Sequence, residues 1–327
     1  MSDVTQTTTR SLPSADDVMG YQESLSNWGR WGEDDRLGTL NLITPAKRIE
    51  AAGLVRDGEV VSLSRDIDPE DADPLHTGLA VVQRFMGIGE LEHHVGKGAA
   101  RFDGITEYIG IAAHGSNTHL DGLAHYSWDG MNYNGNVVAD TVTSIGGAKA
   151  LSVRDAADGI VSRGVLLNIV DLYDGEWLEP GHAITPDELE EAERRQGVQV
   201  GSGDVLIVHT GHVARTLAHG VVKHGPLTMQ AGLHAACLPW VKEREVATLG
   251  SDGIQDVQPS GFSDLSLMRP IHAVGLVALG LWLIDNMELS ELARTCAAKG
   301  RWDFFFAMLP WRLKGSTSSA TNPLAMF

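Results

Sequence analysis

In the second half of the chain, short apolar runs alternate with stretches that are polar on one side, and the two patterns call for different elements. Gly164–Leu172 (GVLLNIVDL), Gly203–Thr210 (GDVLIVHT) and Val246–Ser251 are short, rich in Val, Ile and Leu, and bounded by turn residues, so each is expected to be a buried strand. Between the first two, Thr185-Pro186-Asp187-Glu188 predicts a helix start, with Thr at the N-cap, Pro at the first helical position and acids at the positive end of the helix dipole. That helix is expected to run to about Gln196, and another is expected over Ala231–Glu243. The apolar run Gly275–Ile284 is about half of the roughly 20 residues needed to cross a bilayer, and predicts a buried strand or a short helix. Upstream, Thr44-Pro45 opens a short helix over Ala46–Leu54, while Glu59–Ser64 and Ile105–Ala113 are strand candidates. Strands alternating with helices predict a mixed α/β fold with some parallel pairing.

No repeat, low-complexity linker or charge block marks a boundary, so one domain over residues 21–327 is expected. Residues 1–20 are expected to form a disordered or extended arm, because the Ser/Thr-rich Met1–Asp17 lacks the apolar stretch of a secretory signal. Leu25–Asn41, dense in Trp, Gly and Asp, suits an ordered irregular loop. With 43 acidic against 25 basic residues, a net charge of −18 repels phosphate backbones and anionic lipid, which argues against nucleic acid and membrane as partners. The two cysteines, Cys237 and Cys296, are too few for a disulfide scaffold and read as reduced core thiols of a cytoplasmic protein.

The candidate chemistry concentrates in His114–His125, HGSNTHLDGLAH, at the end of an apolar strand. Elsewhere a lone histidine among the chain's 13 is read as a surface or core hydrogen-bonding residue. If the chain from Thr118 to Asp121 is extended, His119 and Asp121 project to one face, and an imidazole with a carboxylate suits a divalent cation such as Zn or Mn. Gly122 permits a turn that brings His125 back beside the metal as an unligated base. A cation-activated water beside an imidazole is apparatus for attacking an amide or ester carbonyl. The competing reading is a polar loop whose histidines make surface hydrogen bonds.

The run THLDGLAH resembles the HxGTHxDxPxH signature of the cyclase family, which includes bacterial kynurenine formamidase and isatin hydrolase. Further matches are the Trp-rich opening with LGTLN, GVLL at Gly164, GDVLIVHTG at Gly203, LGSDG at Leu249, Pro270-Ile271-His272 and the closing PWRLKGSTSSATNP, so the resemblance spans roughly residues 25–325. It implies a swivelling β/β/α-type domain with a mixed sheet, a homo-oligomer (dimer or tetramer), and hydrolysis of a small-molecule amide, imide, lactone or related carbonyl compound with Zn or Mn. His119 and Asp121 match metal ligands of the motif, and His125 matches its proton-transferring histidine. The first metal-binding histidine is displaced: the family spacing falls on Gly115, and His114 lies one residue further out. A bulge at Gly115-Ser116 would return His114 to the metal; otherwise Asn117 would offer an amide oxygen. A second metal in relatives implies His272 and Asp285, with Asp121 bridging, although the family usually has Glu where Asp285 stands.

The resemblance also implies that Trp28, Trp31 and Asn41 lie near the mouth of the site, where the rings would stack on a substrate; core packing is the alternative. Relatives commonly carry Arg and Trp where this chain has His209 and His212; loss of the guanidinium removes a bidentate clamp for a carboxylate, so the substrate either lacks a carboxylate or is held differently. His93-His94, in the glycine-rich Met86–Lys97, reads as a lid or a solvated loop. Two rival functions stay open at this level: a metal-free isomerase or dehydratase using His125 and Asp121, and a binding protein with a degenerate site.

Overall fold

Nine strands pair into one mixed sheet in the computed structural model, which describes residues 10–67, 80–85, 106–225 and 227–327. In chain order they are β1 (Val60–Ser62), β2 (His119–Asp121), β3 (Ile160–Asn168), β4 (Val205–His209), β5 (Thr248–Ser251), β6 (Trp282–Asp285), β7 (Asp303–Met308), β8 (Ser318–Ala320) and β9 (Leu324–Met326). Across the sheet the order is β1-β9-β7-β3-β4-β5-β6-β2-β8. The four central strands, β3 to β6, are parallel, and every other neighbouring pair is antiparallel. This is the mixed α/β architecture that the alternation predicts.

The central strands are covered on both faces, which is why they read as continuous apolar runs: every residue of β4, β5 and β6 is buried. In β7, outside the parallel core, burial alternates; Phe304, Phe306 and Met308 point inward while Asp303, Phe305 and Ala307 are half-buried. The helix Pro45–Ala52 packs on β3 and β7, and the helix Pro186–Gln196 packs on β3. Among the described residues no helix is long and apolar enough to cross a membrane. Cys237 and Cys296 are both free and buried.

Several expectations change at their edges. The apolar run before Asp285 is both of its predicted forms in succession: a π-helix over Ala273–Leu279, then β6, joined at Gly280. Gly280 has a φ of +66°, and a Cβ there would sit 2.5 Å from the Tyr133 ring, so the junction needs a glycine on two counts. The helix expected over residues 231–243 covers only Cys237–Glu243, because Gly232 and Leu233 instead pair in parallel with Ala183 and Ile184. The expected arm is ordered near its end: Ala15–Ser24 is a helix, capped by Ser14 and Asp17 and seated on the π-helix. Residues 1–9 and the glycine-rich segment with His93 and His94 lie outside the described residues.

The predicted start at Thr185 is a full capping box with Glu188, whose carboxylate also accepts from His182 and Tyr173. Burial opposes the charge on Glu188, but these donors outweigh it and hold its pKa down to about 2. A depressed carboxyl stabilises the fold above its unfolded pKa, and that contribution disappears as pH falls toward the folded value. Glu188→Gln is therefore expected to lower stability by about 1–2 kcal/mol above pH 5. In urea titrations the gap from the parent protein should narrow between pH 4.5 and about 2; a gap independent of pH would refute the assignment.

Candidate metal centre

The site is built on β2, a three-residue strand held between β6 and β8. Strand alternation sends Leu120 into the core and both His119 and Asp121 to the opposite face, as the spacing predicts. Register then supplies partners. Asp285, at the carboxyl end of β6, stands opposite His119, and Ser318 stands opposite Asp121. The Ser318 hydroxyl donates to Asp121 Oδ1 at 2.8 Å, which leaves Oδ2 as the unengaged oxygen.

His272 arrives from the turn of helix Pro270–His272, just before the π-helix. Pro270 at the first helical position has no N–H, so the next two backbone donors need acceptors, and the buried Asp256 provides them. Asp256 Oδ2 also accepts from His272 Nδ1 at 2.6 Å. A carboxylate acceptor fixes the proton on Nδ1 and turns the lone pair of Nε2 toward Asp121 and Asp285, 3.7 and 3.4 Å away. His119 is oriented in the same way, its Nδ1 donating to the backbone carbonyl of Asn117 at 2.7 Å. Gln255 Nε2 donates to Asp285 Oδ1 at 3.1 Å and leaves Oδ2.

Four buried atoms of this layer have no hydrogen bond among the described residues: His119 Nε2, Asp121 Oδ2, His272 Nε2 and Asp285 Oδ2. Donor atoms of His119, Asp121 and Asp285 lie within 4.8 Å of one another. Each orphaned polar atom costs about 1–3 kcal/mol, and a divalent cation is the group that satisfies two imidazole lone pairs and two carboxylates together. The residues present therefore fit a bound metal. Electrostatics agree: burial pushes the Asp121 carboxyl up, whereas at Asp285 the neighbouring His272 outweighs burial and holds the carboxyl below its ordinary range. Burial also opposes charge on His272, yet Asp285 and Asp256 outweigh it and hold its pKa up to about 10.

A second group lies toward solvent. His114, Asp121 and His125 also bring donor atoms within 4.8 Å of one another, with His114 Nε2 3.9 Å and His125 Nε2 3.7 Å from Asp121 Oδ2. The two rings stack at 4.2 Å between centroids. His125 returns over Asp121 through a turn closed by its N–H to the Gly122 carbonyl. Gly122 is needed there for space, since a Cβ would lie 3.1–3.3 Å from Thr317 O, Val153 Cγ1 and Leu151 O. The ring of His114 reaches Asp121 despite its shifted spacing because residues 112–118 are irregular, so no strand register constrains them. Asn286 clamps this segment: Nδ2 donates to Gly115 O at 3.0 Å and its carbonyl accepts from Thr118 Oγ1. Asn117 faces the site through its backbone oxygen rather than its amide, whose nitrogen donates to Thr118 O.

A cavity of about 380 Å³ opens beside His114, His119 and Asp285. Trp28, Trp31 and Asn41 do not line it, contrary to expectation. Trp28 donates to Val277 O, the guanidinium of Arg30 covers Trp31, and Asn41 donates to Asp35 and Gly38; the loop is committed to packing on the π-helix and on itself. Of the two histidines in the GDVLIVHTGH run, His212 lines the cavity, while His209 is held by Asn168 at 2.8 Å. Residues that sequence spacing did not single out are Asp256, Gln255, Ser318 and Asn286, and the cavity arginines Arg65, Arg215 and Arg269. Only Pro270, with its demand for a helix cap, hinted at one of them.

The Cyclase family model matches residues 43–255. A crystal structure described as a novel cyclase is 29% identical, covers 94% of this chain and 99% of its own, and superposes with a TM-score of 0.83. Isatin hydrolase A from Labrenzia aggregata is 17% identical over 84% of this chain and 94% of its own, with a TM-score of 0.56. Isatin hydrolase A from Ralstonia solanacearum is 16% identical over 86% of this chain and 97% of its own, with a TM-score of 0.51. At such identities the two hydrolases share the fold. No curated protein sequence matches the chain.

Asn286 combines its clamp with a φ of +57°. Replacing it by Ala should lower stability more than replacing it by Gly, by about 1 kcal/mol, because Gly loses the clamp without the left-handed strain. Urea midpoints of the two variants check this; equal losses would show that backbone conformation contributes nothing here.

Proposed function

The chain belongs to the Cyclase family, and on that premise we propose that it is a metal-dependent hydrolase of a carbonyl compound of the amide, imide or lactone kind. One divalent cation, Zn or Mn, would be held by His119, Asp121, His272 and Asp285. The observation that carries this reading is a buried group, His119, Asp121 and Asp285, with donor atoms within 4.8 Å of one another, His272 Nε2 beside both carboxylates, and an unsatisfied polar atom on each of the four residues. Ser318, Asn117, Asp256 and Gln255 hold those donors in place from behind. Compared with the set implied by the motif alone, the deep group joins His119 and Asp121 to Asp285, with His272 beside both carboxylates, and His114 would be an outer, weaker ligand on the cavity side.

When bound, the cation supplies Lewis acidity toward water and toward a carbonyl oxygen. His125, placed by its turn beside Asp121 and only 18% exposed, accepts a proton from the attacking water. The water oxygen bonds to the carbonyl carbon, the carbon–nitrogen or carbon–oxygen bond breaks, and His125 returns the proton to the leaving atom. The products are a carboxylic acid and an amine or alcohol, joined in one molecule when the substrate is cyclic. The polar wall of the cavity near His114 and Asn286 excludes bulk water once substrate fills it.

Elemental analysis of the chain purified after metal-replete expression should find one Zn or Mn per chain, and chelation should lower Tm. His119→Ala and His272→Ala should lose the ion, His114→Ala should weaken its retention less, and Asp256→Asn should weaken it about 10–100-fold. His125→Ala should keep the ion but slow hydrolysis of a panel of amides and lactones by about 10²–10⁴-fold. Undiminished hydrolysis after complete removal of metal would sink the proposal.

A further inference from the structure

We propose that the cavity beside the metal centre is a carboxylate-binding site anchored by Arg215 and Arg269. Taken with the proposed hydrolysis, on which this second step rests, the substrate is a carbonyl compound that carries a carboxylate a few bonds from the bond cleaved.

The argument begins with charge. The chain as a whole carries −18, yet Asp285 is the only carboxylate among the described residues lining the cavity, and it faces two imidazoles across the metal centre. Against it stand the guanidinium groups of the cavity wall, so the pocket is a positive region in an acidic molecule. Such focusing concentrates small anions, and a cation in the deep site adds to it.

The second strand of the argument is hydrogen bonding. Arg269 is half-buried and makes no side-chain hydrogen bond or ion pair among the described residues. Its place is fixed, because it is the N-cap residue of the helix that delivers His272, three positions on. Arg215 lies one turn beyond His212 on the helix His212–His219. One of its N–H groups donates to Gly220 O at 2.7 Å at the end of that helix, and its Nε is buried without a partner. The Arg269 guanidinium is therefore free to take a ligand, Arg215 has donor capacity left beyond its bond to Gly220 O, and a carboxylate is the ligand whose two oxygens match such planar donors. Val222, Met229 and Ile254 supply an apolar wall, which suits a ligand with a hydrocarbon or aromatic body.

Calorimetry with phenylacetate and its neutral counterpart 2-phenylethanol tests the idea on the full chain, both metal-loaded and after chelation. Phenylacetate should bind both forms, 2-phenylethanol should bind neither at comparable concentration, and Arg269→Gln and Arg215→Gln should each weaken phenylacetate by about tenfold or more. Arg269→Lys, which keeps the charge and loses the fork, should fall between parent and Gln variant, and circular dichroism identifies any variant that fails to fold. Binding to the chelated form separates this inference from the hydrolase reading, since it does not require the metal. Equal affinity for the acid and the alcohol, or unchanged phenylacetate affinity in both Gln variants, overturns it. Within a substrate panel the same variants should raise KM more for carboxylate-bearing compounds than for their neutral counterparts.

Discussion

The structure turns on the burial of two carboxylates, Asp121 and Asp285, diagonal neighbours on paired strands with donor atoms within 4.8 Å of each other at the edge of the parallel sheet core. Two negative charges out of water demand compensation, and nearly every polar residue nearby is arranged to provide it. Ser318 and Gln255 each take one oxygen of a carboxylate, His272, His114 and His125 turn imidazoles toward the others, and His119 Nε2 lies 3.7 Å from Asp121 Oδ1. The imidazoles are themselves aimed by Asn117 and Asp256. Remove the carboxylates and this arrangement has no purpose; keep them and a cation is the group that completes it.

Position in the sheet explains why the arrangement is rigid enough for chemistry. β2 is only three residues long, but it is hydrogen-bonded on both sides, and Leu120 anchors it in the core. Its neighbour β6 is the last of the four parallel strands, so Asp285 sits where the side chains of a parallel core emerge. The histidines nearest solvent, by contrast, sit on a turn and on an irregular segment secured by Asn286. A fixed deep layer and a more adaptable outer layer suit a site that must hold an ion and admit a substrate.

The cavity gives the site a direction. Its arginines come from three separate regions of the chain, at Arg65, Arg215 and Arg269, and meet only through folding. Arg65 has a structural duty, since it donates to Ser116 O and so steadies the segment carrying His114. The other two face the cavity with donor capacity in reserve, and the acidic charge of the whole molecule makes their gathering at one pocket the more telling.

The sequence alone determined the elements whose cause is local. Continuous apolar runs gave β3, β4 and β5, Thr185 with Pro186 and Glu188 gave a capped helix, and period-two spacing put His119 and Asp121 on one face. It also flagged His272 and Asp285, but only by resemblance. Tertiary structure decided what depends on long-range register: the pairing of Asp285 and Ser318 with β2, the reach of Asp256 to His272, and the separation of deep from outer donors. It also moved Trp28, Trp31 and Asn41 out of the candidate site and brought Arg269 in. The physical reason is one of distance along the chain: caps and alternation act over a few residues, whereas a buried ion's partners are chosen by which strands lie next to each other.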